Sequence, residues 1–278
     1  MFQDKLVKYV QSCGDAFPRF VILVGEQGSG RKTMCKYFAQ RLGTQIAFVS
    51  TGVEDIRQML HTAYRVDIPT MYVIADADNM SMNAKNALLK VTEETPRNAY
   101  IIMTVEDEMN TLATLRSRGR VLYMEPYTSY QLSAYVRSIG YSVESRLPDI
   151  CTTPGQINML RDVEDEFLNF VDLVIDNIAT VSDANAFKLG SRIKLKDTDE
   201  DKYDLKLFWQ AVQYKLRAKM DNPESGVFNY WHCAECVACT AEYIRDLKIK
   251  GINKSASLDM WIIDMRNILW SSQHQSPT

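Results

Sequence analysis

The residues in this chain best able to do chemistry are ones that handle phosphate. Residues 25 to 33 read G-E-Q-G-S-G-R-K-T, between a short apolar run, Phe20 to Val24, and a helical stretch, Met34 to Leu42. Strand, glycine turn and helix make the context a P-loop needs, because glycines let backbone N–H groups wrap a phosphate at a helix N-terminus. The pattern G-x-x-x-x-G-K-(S/T), anchored on Gly25 and Gly30, is damaged. Arg31 stands in the lysine slot, a planar fork in place of a compact ammonium. Lys32 occupies the slot of a Mg²⁺-binding hydroxyl. Thr33 carries that hydroxyl, but one residue further round a helix is about 100° away. Gly28 and Ser29 complete the turn, and a glycine turn that binds nothing is the competing reading. Further along stand Asp76 and Asp78, Thr104, and the pair Arg116 and Arg118 in T-L-R-S-R-G.

These groups need a scaffold, and the apolar pattern supplies one. Met71 to Ala75 reads as a buried strand that delivers Asp76 and Asp78 to its C-terminal edge, where open α/β sheets bind ligands. Ser81 can cap the next helix, in which Ala84, Ala87, Leu88 and Val91 share a face and which Thr95-Pro96 ends. Tyr100 to Val105 is a second buried strand with Thr104 near its end. The arginine pair is expected on an exposed turn just after the sheet edge. Before these, Phe2, Leu6, Tyr9, Val10 and Cys13 fall at helical spacing, and Ile46 to Val49 is a further short strand. Beyond Tyr123-Met124-Glu125-Pro126 the pattern is purely helical: Tyr130, Leu132, Tyr135, Val136 and Ile139 suit one helix, and Ile150, Ile157 and Leu160 others. A charged segment, K-L-K-D-T-D-E-D-K, reads as an exposed loop within the helical remainder.

Several stretches in order carry a family resemblance: D-A-D-N-M, then N-A-L-L-K-V-T-E-E-T-P, then T-L-R-S-R-G. They resemble the bacterial clamp-loader branch of the AAA+ ATPases, most closely the delta-prime subunits of DNA polymerase III. An ordinary strand–helix–strand core would explain the apolar pattern but not the T-x-x-S-R ending. V-E-D-I-R-Q-M-L, residues 53 to 60, fits the family's D-x-I-R-x-L segment. No cysteine lies between Cys35 and Cys151, so the four-cysteine zinc insert of many members is absent.

The resemblance implies an α/β P-loop (AAA+) parallel-sheet module over 1–126, a small helical lid over 127–164, and an all-α collar over 165–278. It also assigns roles. Gly25, Gly28, Ser29, Gly30, Arg31, Lys32, Thr33, Asp76 and Thr104 would form the nucleotide site, with Asp76 in the place of the catalytic acid and Thr104 as a γ-phosphate sensor. Ala75 stands where a metal-organising aspartate belongs, and Asn158 stands where the lid's G-x-x-R arginine belongs. Arg31, Lys32, Ala75 and Asn158 together argue against efficient ATP hydrolysis, so no cofactor is assigned beyond weakly held ATP or ADP, and no metal. Arg118 matches the arginine finger that acts on a neighbour's nucleotide, with Gly119 replacing the family's cysteine. A structural salt bridge is the alternative for Arg118. The implied partners are other clamp-loader subunits in a hetero-oligomeric ring, the sliding clamp, and primer-template DNA through the assembly.

Composition bounds these readings. At 278 residues and 46% hydrophobic, the chain can bury a full core and more than one domain. A net charge of −3 exerts no global pull on nucleic acid or an anionic membrane. No apolar run approaches the roughly eighteen residues of a membrane span, no signal peptide opens the chain, and six cysteines without a disulfide framework suit a reducing cytosol. Cys233, Cys236 and Cys239 form a C-x-x-C-x-x-C run that invites a metal reading. Its helical flanks favour a packed stripe of thiols instead. Two functional alternatives stay open: an active ATPase subunit using Arg31 and Asp76, and a metal- or nucleic-acid-binding adaptor on an AAA+ scaffold.

Overall fold

A computed structural model of the chain describes residues 3–182, 185, 189–190, 204–221, 227–247, 249 and 251–270. Five strands form one parallel sheet: β1 Phe20–Val24, β2 Gln45–Val49, β3 Thr70–Ile74, β4 Ala99–Val105 and β5 Arg120–Tyr123, in the order β2-β3-β4-β1-β5. Every pairing is parallel, so each connection must return across a face of the sheet, and helices provide the returns. The three inner strands β1, β3 and β4 are buried along their whole length, which is why they read as unbroken apolar runs.

Alternation along those strands builds two cores. On one face Phe20, Ile22, Ile74, Ile101 and Met103 meet Ile56 and Met59 of α3 (Val53–Ala63) and Ala84, Leu88 and Val91 of α4 (Met82–Glu93). On the other, Val21, Leu23, Val73 and Ile102 meet Leu6 and Val10 of α1 (Asp4–Cys13) and Met34, Cys35 and Phe38 of α2 (Arg31–Leu42). The side-chain period of two in a strand sends successive residues to opposite layers. Ser81 caps α4 as its position predicts, its Oγ accepting Ala84 N–H at 3.2 Å.

One strand was not anticipated. β5 is only four residues long, with Arg120 exposed at its start, and it pairs with β1 from Val21 opposite Arg120. Its existence moves the arginine turn. The chain leaves the C-terminal end of β4, forms a 3₁₀ turn and the short helix α5 (Ala113–Arg116), and reaches Arg118 just before β5 begins. Arg118 thus lies at the N-terminal edge of the parallel sheet, not directly after a strand.

The chain divides into two compact units, Met1–Tyr135 with Thr152–Gly155, and Val136–Cys151 with Gln156–Thr278. The first holds the sheet. In the second, α9 (Glu164–Thr180), α10 (Leu205–Asp221), α11 (Tyr230–Asp246) and α12 (Lys254–Trp270) are long helices around Trp209 and Trp261, both fully buried. The charged segment 194–202 lies outside the described residues. Among the described residues no helix is long and apolar enough to cross a membrane.

Candidate functional site

β1 delivers the glycine loop to the C-terminal edge of the sheet, where Gly25 N–H donates to Val105 O of β4 at 3.0 Å. Gly28 and Gly30 adopt positive φ, 81° and 90°, which lets the loop fold back before α2 starts at Arg31. The loop is tied down from outside. Tyr127 Oη donates to Ser29 O at 2.8 Å and Thr153 Oγ1 to Gln27 O at 3.1 Å. Gly155 N–H donates to Gly28 O at 3.0 Å, and a Cβ on Gly155 would come within 2.4 Å of Gly28 Cα. Two backbones can approach that closely only when both residues are glycine. Gly155→Ala is therefore expected to destabilise the sheet unit by about 1–3 kcal/mol through overpacking. Urea denaturation followed through the sheet unit measures this, and an unchanged midpoint would show that the contact is slack.

Of the predicted phosphate cations Arg31 is buried and Lys32 stays exposed, and both meet one carboxylate. Arg31 is only 6% exposed, and its Nη2 lies 2.9 Å from Asp76 Oδ1. Lys32 Nζ lies 3.2 Å from the other oxygen, Oδ2. Glu106 Oε1 stands 3.9 Å from Arg31 Nη2. Asp76 is itself held by its N–H, which donates at 3.0 Å to the hydroxyl of Thr104, fully buried on β4. The structure thus brings together Arg31, Lys32, Asp76 and Thr104. Thr33 faces solvent on the first turn of α2, and Ser29 is buried beneath the loop. Asp78 serves the scaffold: its carboxylate accepts Glu106 N–H at 2.8 Å and Asn110 Nδ2 at 3.2 Å, bracing the segment that follows β4. Asn158 is exposed on α8 (Pro154–Leu160) of the helical unit.

At the other edge of the sheet, Arg118 makes the salt bridge that the sequence left as its alternative. Nε donates to Glu93 Oε1 at 3.1 Å, Nη2 contacts the same oxygen, and Nη1 donates to Thr114 O at 2.7 Å. The side chain remains 31% exposed. It lines an open groove of about 480 Å³ with Arg19, Arg120 and Glu93. Arg116 turns elsewhere, donating to Glu108 O at 3.2 Å. Gly119 also has a steric reason, since a Cβ there would meet the Phe20 ring at 2.9 Å. Glu93 belongs to the quoted E-E-T-P stretch, but nothing in its local pattern says which arginine it reaches. Tyr127 and Thr153 gave no sequence signal at all.

The thiol stripe lies where helical spacing puts it. Cys233 and Cys236 are fully buried on α11, and burial raises the pKa of both and pushes Cys239 up to about 11. Such thiols stay protonated and pack as small apolar groups. Among the described residues no cluster of three or more His, Cys, Asp or Glu side chains could hold a metal ion.

The family described as DNA polymerase III, delta subunit matches residues 49–128. The DNA polymerase III subunit delta' of Bacillus subtilis (strain 168) is 26% identical over 151 residues, 54% of this chain and 39% of that protein's length. By these matches the chain is similar to delta-type subunits of DNA polymerase III over about half of its length, and it spans well under half of the Bacillus relative. The matched stretch carries Asp76, Thr104 and Arg118. Solved structures agree on the fold alone. A DNA polymerase III gamma subunit-related protein from Thermotoga maritima superposes with TM-score 0.52 at 14% identity, covering 96% of this chain and 100% of that one. A point mutant of RuvB from Thermotoga maritima gives 0.50 at 17% identity, covering 72% and 84%.

The resemblance to the clamp-loader branch implies a Mg²⁺-bound nucleotide at the glycine loop, and the residues present do not fit that group. Asp76 already contacts both cations that would face phosphate, one through each carboxylate oxygen. A lysine replaces the metal's hydroxyl, and alanine replaces the carboxylate that would organise its water shell.

Proposed function

We propose that this chain is a non-hydrolytic subunit of a sliding-clamp loader, comparable to delta-prime, that gives Arg118 to a nucleotide held by a neighbouring subunit. One observation carries the reading. Both cations of the glycine loop are spent on Asp76, whereas Arg118 stands at the opposite edge of the sheet beside an open groove. Glu93 holds the guanidinium by its Nε and Nη2 side, and a guanidinium has five N–H groups. Donors are therefore left to meet a phosphate oxygen brought to the groove, where a cation stabilises charge that builds up in phosphoryl transfer.

In this reading residues 1–126 are the AAA+ module, 127–164 the lid and 165–278 the collar that assembles with other loader subunits in the cytoplasm. The sliding clamp and primer-template DNA are engaged through the whole assembly. The purified chain is expected to show no Mg²⁺-dependent ATP turnover above buffer. Hydrolysis that disappears on Asp76→Ala would restore the active-ATPase alternative.

A further inference from the structure

Asp76 is the only residue other than glycine at positive φ among the described residues, 53°. Aspartate tolerates that region better than most side chains, yet a cost remains that the surroundings must offset. Here they do so at both ends of the residue. The N–H is held by buried Thr104, and each carboxylate oxygen meets one cation, Arg31 at 2.9 Å and Lys32 at 3.2 Å.

The setting is that of an anion cradle. Arg31 opens the twelve-residue helix α2, whose N-terminus carries the partial positive charge of unsatisfied N–H groups. Beside the Nη2 that meets Asp76, Arg31 Nη1 is buried with no hydrogen-bond partner, and Ser29 Oγ in the same loop is buried likewise. Buried donors left unmade are rare and costly. Glu106, 3.9 Å from Arg31 Nη2, is the other carboxylate facing this cluster.

We propose that Asp76 is an internal anion that fills the phosphate cradle of its own glycine loop, and that this carboxylate, not loss of the loop, excludes polyphosphate. The inference rests on reading the loop as non-hydrolytic and supplies the physical cause. It reverses the usual expectation for an acid in this place, because removing the charge should create binding. The ligand class is a metal-free polyphosphate, whose terminal oxygens would inherit the contacts with Arg31 and Lys32.

The test is Asp76→Asn in the full chain. Asparagine has nearly the same shape, tolerates positive φ and keeps the N–H that Thr104 accepts. Wild type and variant are titrated with sodium tripolyphosphate in EDTA at fixed ionic strength, by calorimetry and by thermal melting. The variant should bind at least about tenfold more tightly than wild type, since the competing carboxylate no longer occupies Arg31 and Lys32. Tripolyphosphate should raise the melting temperature of the variant and leave that of wild type unchanged. Adding Arg31→Ala should abolish the gain. Equal or weaker binding by the variant, or a gain that survives Arg31→Ala, overturns the proposal. If the asparagine variant does not fold, Asp76→Gly, also suited to positive φ, carries the same expectations. ATP hydrolysis by the unaltered chain would remove the non-hydrolytic reading, while an unchanged tripolyphosphate affinity removes only this inference.

Discussion

If Arg118 has the proposed finger role, replacing it with alanine is expected to slow ATP hydrolysis by the neighbouring subunit of a reconstituted loader by about a thousandfold or more. Such a loss would be catalytic, because little else depends on the side chain. Its partners are Glu93 and a backbone carbonyl, and the Glu93 side chain is 54% exposed, so the pair contributes about 1 kcal/mol or less to stability. The variant should fold and assemble as before. Arg118→Lys should recover only part of the rate, since an ammonium cannot both hold Glu93 by a fork and present further donors. The measurement is ATPase activity stimulated by DNA and clamp. An alanine variant that assembles and turns over at the parent rate would leave Arg118 with its salt bridge and nothing more.

The second large effect is on stability and lies in the helical unit. Trp261 is fully buried, with ring centroids of Phe208 at 5.7 Å and Trp209 at 6.0 Å. Its indole N–H donates to Thr240 Oγ1 at 3.0 Å, and that hydroxyl in turn donates to Cys236 O at 2.7 Å. Trp261→Ala removes the largest side chain shared by α10, α11 and α12, and surroundings this dense collapse only partly into the space. The expected cost is about 3–5 kcal/mol. The two units need not unfold together, so the probe must be local, and hydrogen exchange of α10 to α12 amides serves. Protection within about 1 kcal/mol of the parent would contradict a core centred on this cluster.

Much of the scaffold was legible because its signals are local and periodic. β1, β3 and β4 are unbroken apolar runs since helices cover both faces of the sheet. Ser81 announces α4 because an N-cap oxygen is needed within three residues of the N–H it satisfies. The thiols of α11 fall on one stripe because residues three apart share a helix face. β5 escaped notice because four residues with one buried side chain carry too little pattern, and its stability comes from pairing with β1.

The amino-acid sequence by itself determined which groups are present: Arg31 and Lys32 in a glycine-rich loop that departs from the P-loop pattern, Ala75 before Asp76, and Arg118 in T-L-R-S-R-G. Tertiary structure alone decided how they are spent. Arg31 meets Asp76 across 45 positions, and Gly28 touches the backbone of Gly155. Arg118 reaches the N-terminal edge of the sheet only because β5 pairs in parallel with β1. Charges and backbone surfaces far apart in the chain leave no periodic mark on it. Their partners are set by the packing of the elements between them, and that packing becomes definite only when the whole sheet closes.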